Sequence, residues 1–186
     1  MQQLKSALIT FIVLTIITGV IYPLIVFGFG QTFASYEANG SFITVNGKVI
    51  GSALIGQGFT DNKYLWGRAS ATGDHPYNPL ASGGSNLASS NPELLKAVVD
   101  RVNALGANVI TPAPIDLVTS SGSGLDPEIS IAAAYFQIKR IAKARGVSED
   151  NVEDIINKNA KYPLLGFIGE PRVNVLEVNL ALDGIK

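Results

Sequence analysis

The first strong pattern along the chain is a run of twenty-five uncharged residues, Ser6 to Gly30, most of them Leu, Ile, Val, Phe, Ala or Gly. As an α-helix this run would extend about 37 Å, at about 1.5 Å per residue, which exceeds the ~30 Å hydrocarbon core of a bilayer. The pattern therefore predicts one transmembrane helix over residues 6–30. A cleaved secretory signal is the alternative, although its apolar region is usually only about 7 to 15 residues long.

Two small residues lie on one side of this predicted helix. Thr15 and Gly19 are four positions apart, a spacing that allows a second helix to approach closely. They are the candidate residues for contact with a partner helix, and the alternative is that both face membrane lipid. Pro23 removes one backbone hydrogen bond and predicts a local adjustment of the helix around it.

The charges that flank the run predict its orientation. Lys5 and the N-terminal amine precede it, whereas the first charge after it is Glu37. Because positive charges are retained on the cytoplasmic side of a membrane, we expect residues 1–5 to be cytoplasmic and residues 31–186 to form an extracytoplasmic soluble domain.

The pattern after the span alternates between strand-like and helix-like segments. Asn46-Gly47 favours a type I′ turn, which predicts a β-hairpin from Ser41–Val45 and Lys48–Ile55. Amphipathic periodicity and capping residues then predict three helices, with Ser90 or Asn91, Asp126 and Ser148 as their respective caps. Their bounds are Pro92–Leu105, Pro127–Arg145 and Glu149–Asn159.

Apolar stripes on the first two of these helices predict what they bury. The first stripe comprises Leu94, Leu95, Val98, Val99, Val102 and Leu105. The second comprises Ile131, Ala134, Tyr135, Ile138, Ile141 and Ala142, which leaves Gln137, Arg140 and Arg145 elsewhere on the helix surface.

The remaining segments predict loops and one more strand. A loop rich in Gly, Ser, Asn and Pro is predicted over Ala69–Asn91. Ile115–Val118 is predicted to form a short strand, and a second Ser/Gly loop, Thr119–Pro127, follows it. The tail, residues 166–186, favours a helix, because Asn174 and Glu177 have the spacing of a capping box, with a strand as the alternative. The predicted fold class is α+β, with one transmembrane helix followed by a single mixed α/β soluble domain.

Composition excludes several function classes. The predicted soluble part has a net charge of −2 and no block of like charge, which argues against a nucleic-acid partner. The chain has no cysteine, so disulfides, thiolate metal sites and cysteine nucleophiles are excluded. Its single histidine, His75, lies in a turn-forming segment and is expected on a surface loop.

No catalytic or metal-binding residue is predicted. No serine precedes a lysine by three positions, and neither Ser/Gly loop contains Gly-x-Ser-x-Gly. Arg68, Arg140 and Arg172 are interpreted as ion-pair or interface residues.

The two Ser/Gly loops are the candidates for anion binding, because backbone N–H groups at the start of a helix attract negative charge. Neither loop has the Gly-Lys-Ser/Thr of a phosphate-binding Walker motif. Turns and caps that satisfy backbone groups are the favoured interpretation, and nucleotide binding is the alternative.

Nine short motifs follow one another along the chain: Leu54–Gln57, Gly67-Arg68, Tyr77–Pro79, Ser82–Leu87, Ser90–Pro92, Asp116–Thr119, Ser121–Pro127, Ala144–Gly146 and Gly169–Leu176. In this order they resemble a family, the C subunits of the Kdp potassium-transporting P-type ATPases. The resemblance covers the apolar run and nearly all of the rest of the chain. Three positions depart from the expected pattern: Ala69 for Pro, Ala88-Ser89 for Gly-Pro, and Glu128 for His.

This resemblance implies a non-catalytic subunit in a bacterial plasma membrane. Its expected partners are a potassium-translocating subunit, an ATP-hydrolysing subunit and a small single-span subunit, and the chain itself requires no cofactor. The alternative implied by the family is a catalytic chaperone that binds ATP through Ser82, Gly83, Gly84, Ser85 and Asn86 and raises the ATP affinity of the ATP-hydrolysing subunit. That role conflicts with an extracytoplasmic domain, because ATP is cytoplasmic. An anchored extracellular enzyme is a third alternative.

Overall fold

The computed structural model describes residues 2–184, which form two compact units, residues 2–42 and residues 43–184. The N-terminal amine of Met1, on which the predicted orientation partly depends, and the last two residues of the predicted tail lie outside the described residues. The fold class is α+β, as predicted, with a long apolar N-terminal helix and a mixed helix and strand region.

The N-terminal unit is dominated by one continuous helix, Gln2–Phe33, which is long and apolar enough to cross a membrane. It consists of α1 (Gln2–Ile16), a π-helical turn (Ile17–Ile21) and α2 (Tyr22–Phe33), and none of its residues is buried within the described structure. The helix therefore extends beyond the predicted span, 6–30, at both ends. A short helix, α3 (Ser35–Ala38), follows it.

The π-helical turn ends two residues before Pro23, where Tyr22 N–H donates to the carbonyl of Ile17. Pro23 has no N–H with which to continue the regular ladder, and wide turns of this kind occur where that ladder is interrupted. The local adjustment expected at Pro23 thus takes the form of a π turn. Gly19 lies within this turn, and a Cβ added there would meet no atom within 4 Å.

The hairpin prediction is confirmed. Strands β1 (Phe42–Val45) and β2 (Lys48–Ser52) pair through a two-residue turn. Asn46 and Gly47 have φ angles of 51° and 77°, the positive values that a type I′ turn requires.

The second sheet organises the core of the larger unit. Its strands β3 (Glu128–Ser130), β5 (Arg172–Asn174) and β4 (Ala160–Lys161) lie in that order, and β5 pairs antiparallel with both neighbours. The helices of this unit are α4 (Pro92–Ala104), α5 (Ile115–Val118), α6 (Ile131–Phe136), α7 (Ile138–Arg145), α8 (Glu149–Lys158) and α9 (Val175–Leu182).

The core consists of side chains from this sheet, from α5, from α6 to α9 and from one extended segment. Burial of such apolar side chains is the main favourable contribution to folding. The residues with no solvent exposure include Leu65, Ile141, Val152, Ile156, Val173 and Val178.

Three caps hold helices where the sequence predicted them. Asn91 accepts a hydrogen bond from Glu93 N–H at the start of α4, and Ser148 accepts one from Asn151 N–H at the start of α8. Asn174 accepts from two backbone N–H groups at the start of α9. Each side chain satisfies donors that the first turn of a helix leaves without a partner.

Several predicted elements were wrong. Ile115–Val118 is the helix α5, not a strand, and the long helix predicted from Pro127 does not begin there. Residues 128–130 instead pair with β5, and Ser130 caps α6. Sheet pairing across a distance of more than forty residues overrides local periodicity. The tail likewise contributes a strand, β5, before its helix.

The predicted buried stripe of α4 is also only partly correct. Leu95 is 67% exposed and Val99 is 47% exposed, and α4 has no buried residue. This helix therefore presents an apolar edge to solvent.

Candidate functional site

The structure brings the two Ser/Gly loops together. Gly83 N–H and the Ser82 hydroxyl both donate to the carbonyl oxygen of Ser123, at 2.8 and 3.0 Å. A Cβ on Gly84 would lie 3.1 Å from the carbonyl oxygen of Gly122, so the two backbones pass very close to each other. Segments that are forty residues apart in the sequence form one loop pair.

The candidate nucleotide residues lie in this loop pair but not at a helix start. Ser82–Asn86 ends several residues before α4 begins, and the second loop leads into β3 rather than into a helix. The hydroxyl of Ser82 already donates a hydrogen bond to the carbonyl oxygen of Ser123. Ser85 and Asn86 are exposed. The helix-terminus field that favours anions is therefore not adjacent to these residues.

A network of hydroxyl groups orders the long loop beside this pair. Ser70 Oγ accepts from Tyr77 N–H at 2.8 Å, and Thr72 Oγ1 donates to the carbonyl of His75 at 2.7 Å. The Tyr77 hydroxyl donates to the carbonyl of Arg68, and burial raises the pKa of Tyr77. His75 itself is exposed, as predicted.

An ion pair joins the residue before the first long loop to the second Ser/Gly loop. Arg68 Nη1 lies 3.0 Å from Asp126 Oδ2, with both side chains about three-quarters shielded from solvent. Nearby, Gly56 N–H donates to the carbonyl of Leu125, and a Cβ on Gly56 would overlap Tyr77. Arg68 thus acts as an ion-pair residue, as predicted, and Arg172 does so with Glu128 at 2.6 Å.

Two buried amide side chains hold an extended segment against the core. Asn179 Oδ1 accepts from Leu65 N–H at 2.7 Å, and its Nδ2 donates to the carbonyl of Leu65 at 3.0 Å. Gln137 does the same with Trp66, accepting at 2.8 Å and donating at 3.0 Å. The two amides therefore satisfy backbone N–H and carbonyl groups that would otherwise need the hydrogen bonds of a neighbouring strand.

The burial of Gln137 corrects the prediction that it lies on the helix surface. Gln137 is only 1% exposed and separates α6 from α7. It is three residues after Ala134 and four before Ile141, so its spacing placed it on the apolar stripe. This was the signal that could have identified it.

Arg140 and Arg145 are half-buried rather than on the outer surface. The Arg140 guanidinium donates to the carbonyls of Asn62 and Tyr64 and lies 4.0 Å above the Trp66 ring. Its desolvation lowers its pKa to about 10.

Arg145 pairs with Asp183 at 2.8 Å. Partial burial tends to raise the pKa of Asp183, but hydrogen bonds from Arg145 and Tyr64 outweigh this effect and hold that pKa below its usual value.

Between residues 2 and 184, no three His, Asp or Glu side chains are arranged to hold a metal ion. A cavity of about 380 Å³ lies beside Arg68, with Phe59, Trp66, Tyr77 and Arg101 in its wall. Residues 82–86 do not line it.

Comparisons with known proteins identify the family. The family model for "KdpC: K+-transporting ATPase, c chain" matches residues 4–184. The chain is 54% identical over 184 residues to the potassium-transporting ATPase KdpC subunit of Polynucleobacter asymbioticus, with 97% of each chain covered. It is 53% identical over 186 residues to the subunit of that name from Escherichia coli O157:H7, with 98% of each covered. The chain therefore belongs to the KdpC family, the c chain of the K+-transporting ATPase.

Proposed function

We propose that this chain is the non-catalytic assembly subunit of a potassium-transporting ATPase and that it acts through contacts with the other subunits. The observation that carries the proposal is the combination of an apolar helix without internal burial and a soluble unit whose polar groups are used to order its own loops. The partners are a potassium-translocating subunit, an ATP-hydrolysing subunit and a small single-span subunit.

The proposed location is the bacterial plasma membrane. Residues 6–30 would cross it once, with residues 1–5 in the cytoplasm and 31–186 outside, because Lys5 precedes the apolar run. In this orientation the soluble domain meets only the outer surfaces of its partners.

The proposed helix contact lies at Thr15 and Gly19. A Cβ added at Gly19 would meet no atom within 4 Å. Replacing Gly19 with leucine should therefore leave the rest of this chain undisturbed but block the close approach of another helix. We expect Gly19→Leu to lower the yield of co-purified subunits several-fold. The soluble domain should unfold at an unchanged urea concentration.

Gly28→Leu is the matched control for this experiment. A Cβ added at Gly28 would also meet no atom within 4 Å. Gly28 lies nine positions after Gly19, on a different face of the helix. Equal yields for the two variants would mean that Gly19 faces lipid.

The second candidate role, ATP binding at Ser82–Asn86, is favoured only by the close pairing of the two Ser/Gly loops. An exposed helix-terminus field contributes about 0.3 to 1 kcal/mol, far below the roughly 6 kcal/mol that binding at tens of micromolar requires. The chain also lacks the lysine of a Walker motif.

We therefore expect calorimetric titration of the full chain in detergent with Mg-ATP to show no saturable binding at physiological salt. Ser85→Ala and Ser123→Ala are the variants that test these loops. Micromolar binding that disappears in either variant would make ATP delivery the leading function.

A further inference from the structure

A second polar surface lies away from the two Ser/Gly loops, along α7. A groove of about 770 Å³ separates this helix from the turn that follows α4. Three of its lining side chains are cationic, and no carboxylate lines it. Its lining includes Gly106, Thr111, Lys139, Arg140 and Lys143.

Among the described residues, none of the three cations of this groove forms an ion pair with a carboxylate. Lys139 and Lys143 are exposed, lie four residues apart and form no ion pair with any described carboxylate. Like charges at this spacing repel each other. Most other cations of the larger unit are paired, including Lys63, Arg68, Lys96, Arg145, Lys161 and Arg172.

Arg140 makes the charge of the groove permanent and fixes its direction. Its guanidinium donates to three neutral oxygens, those of Asn62, Tyr64 and the Gln137 side chain, at 2.7, 3.0 and 2.6 Å. These bonds orient the group without neutralising it. Asp61 attracts the guanidinium through space but forms no ion pair with it, and a half-buried charge without a close partner is unfavourable. An incoming carboxylate would supply a close counter-charge.

The position of these cations on α7 is also unfavourable for the helix itself. Lys139 and Arg140 lie in its first turn, where the helix dipole disfavours positive charge. Lys143, near the other end, is the only one of the three whose charge the dipole favours. Helix stability therefore does not explain why Lys139 and Arg140 are here.

Beside the groove, in the turn that supplies its lining residues Gly106 and Thr111, lies an apolar edge. Val109 and Ile110 are 99% and 91% exposed, in the turn between Gly106 and Thr111. Asn108 Oδ1 accepts from the N–H groups of Ile110 and Thr111, at 2.9 and 3.0 Å, so this turn is held in place. A partner that is both acidic and partly apolar matches the two features together.

We infer that this groove docks an acidic segment of another subunit of the ATPase, with carboxylates facing Lys139, Arg140 and Lys143 and an apolar side chain against Val109 and Ile110. This inference rests on the proposed role of the chain as an assembly subunit. Charge complementarity selects the partner, and the apolar edge fixes its position.

The test uses the full chain co-expressed with the other subunits. The double variant K139E/K143E is compared with K48E/K158E, which changes the net charge equally at two exposed lysines without ion pairs among the described residues. Co-purified subunits are quantified in detergent at increasing NaCl concentrations. We expect at least a tenfold lower yield for the groove variant at physiological salt, and the wild-type yield for the control.

Two outcomes would overturn the inference. If both double variants retain the other subunits like the wild type, the groove is not an interface, although the assembly role stands. If the groove variant loses only its binding to phosphatidylglycerol vesicles, the ligand is a lipid headgroup. Failure of the wild-type chain to retain any subunit would instead contradict the proposed function. An unchanged urea midpoint, followed by Trp66 fluorescence, would show that K139E/K143E folds.

Discussion

Replacing Gly124 with alanine is expected to destabilise the larger unit by about 2–5 kcal/mol. Gly124 has a φ of 69°, and a Cβ there would lie 2.7 Å from the carbonyl oxygen of Gly83 and 2.5 Å from Thr72. The left-handed conformation costs about 1–2 kcal/mol for a residue with a Cβ, and forced overpacking about 1–3 kcal/mol more. Urea unfolding, followed by the fluorescence of the single tryptophan, measures the change.

Gly122→Ala is the matched control within the same loop. A Cβ on Gly122 would meet no atom within 4 Å, and its φ is not positive. Its unfolding midpoint should remain close to that of the wild type. Equal stability of the two variants would show that the two Ser/Gly loops are not in close contact.

Gln137→Met is expected to cost about 3 kcal/mol, although methionine has nearly the same size and shape. The variant leaves both the N–H and the carbonyl of Trp66 without the hydrogen bonds that Gln137 provides. Each buried polar group that loses its partner costs about 1–3 kcal/mol. The Arg140 guanidinium loses an acceptor as well.

Urea unfolding followed by Trp66 fluorescence tests this prediction as well, because Trp66 forms the hydrogen bonds that Gln137→Met removes. Asn103→Ala, at an exposed position of α4, is the control and should alter stability by no more than about 0.5 kcal/mol. A Gln137→Met chain as stable as the control would contradict the role assigned to the amide. Proteolysis of the segment around Leu65 should increase if the role is correct.

The elements that the sequence predicted correctly are those with local determinants. The apolar helix, the Asn46-Gly47 hairpin and the caps at Asn91 and Ser148 each depend on a few neighbouring residues. Their conformations follow from backbone geometry and from hydrogen bonds within one turn. The family resemblance was also confirmed, since it used short motifs along the whole chain.

The elements that were predicted incorrectly from the sequence depend on residues far away in the chain. Residues 128–130 form a strand only because β5, more than forty residues later, pairs with them. The burial of Gln137 depends on Trp66, and the contact between the two Ser/Gly loops depends on Gly83 and Ser123. Periodicity within one segment contains no information about such pairings. The basic groove combines α7 with the turn after α4, so no single motif indicated it.

The central claim is that the domain acts outside the cytoplasm through contacts, and cysteine labelling tests it most directly. The chain has no cysteine, so one introduced residue reports its own side of the membrane. Ser90 is exposed in the soluble unit, and Gln3 lies on the opposite side of the apolar run. We predict that a membrane-impermeant maleimide labels Ser90→Cys in intact spheroplasts and labels Gln3→Cys only after permeabilisation. The reverse pattern would place the domain in the cytoplasm and contradict the account.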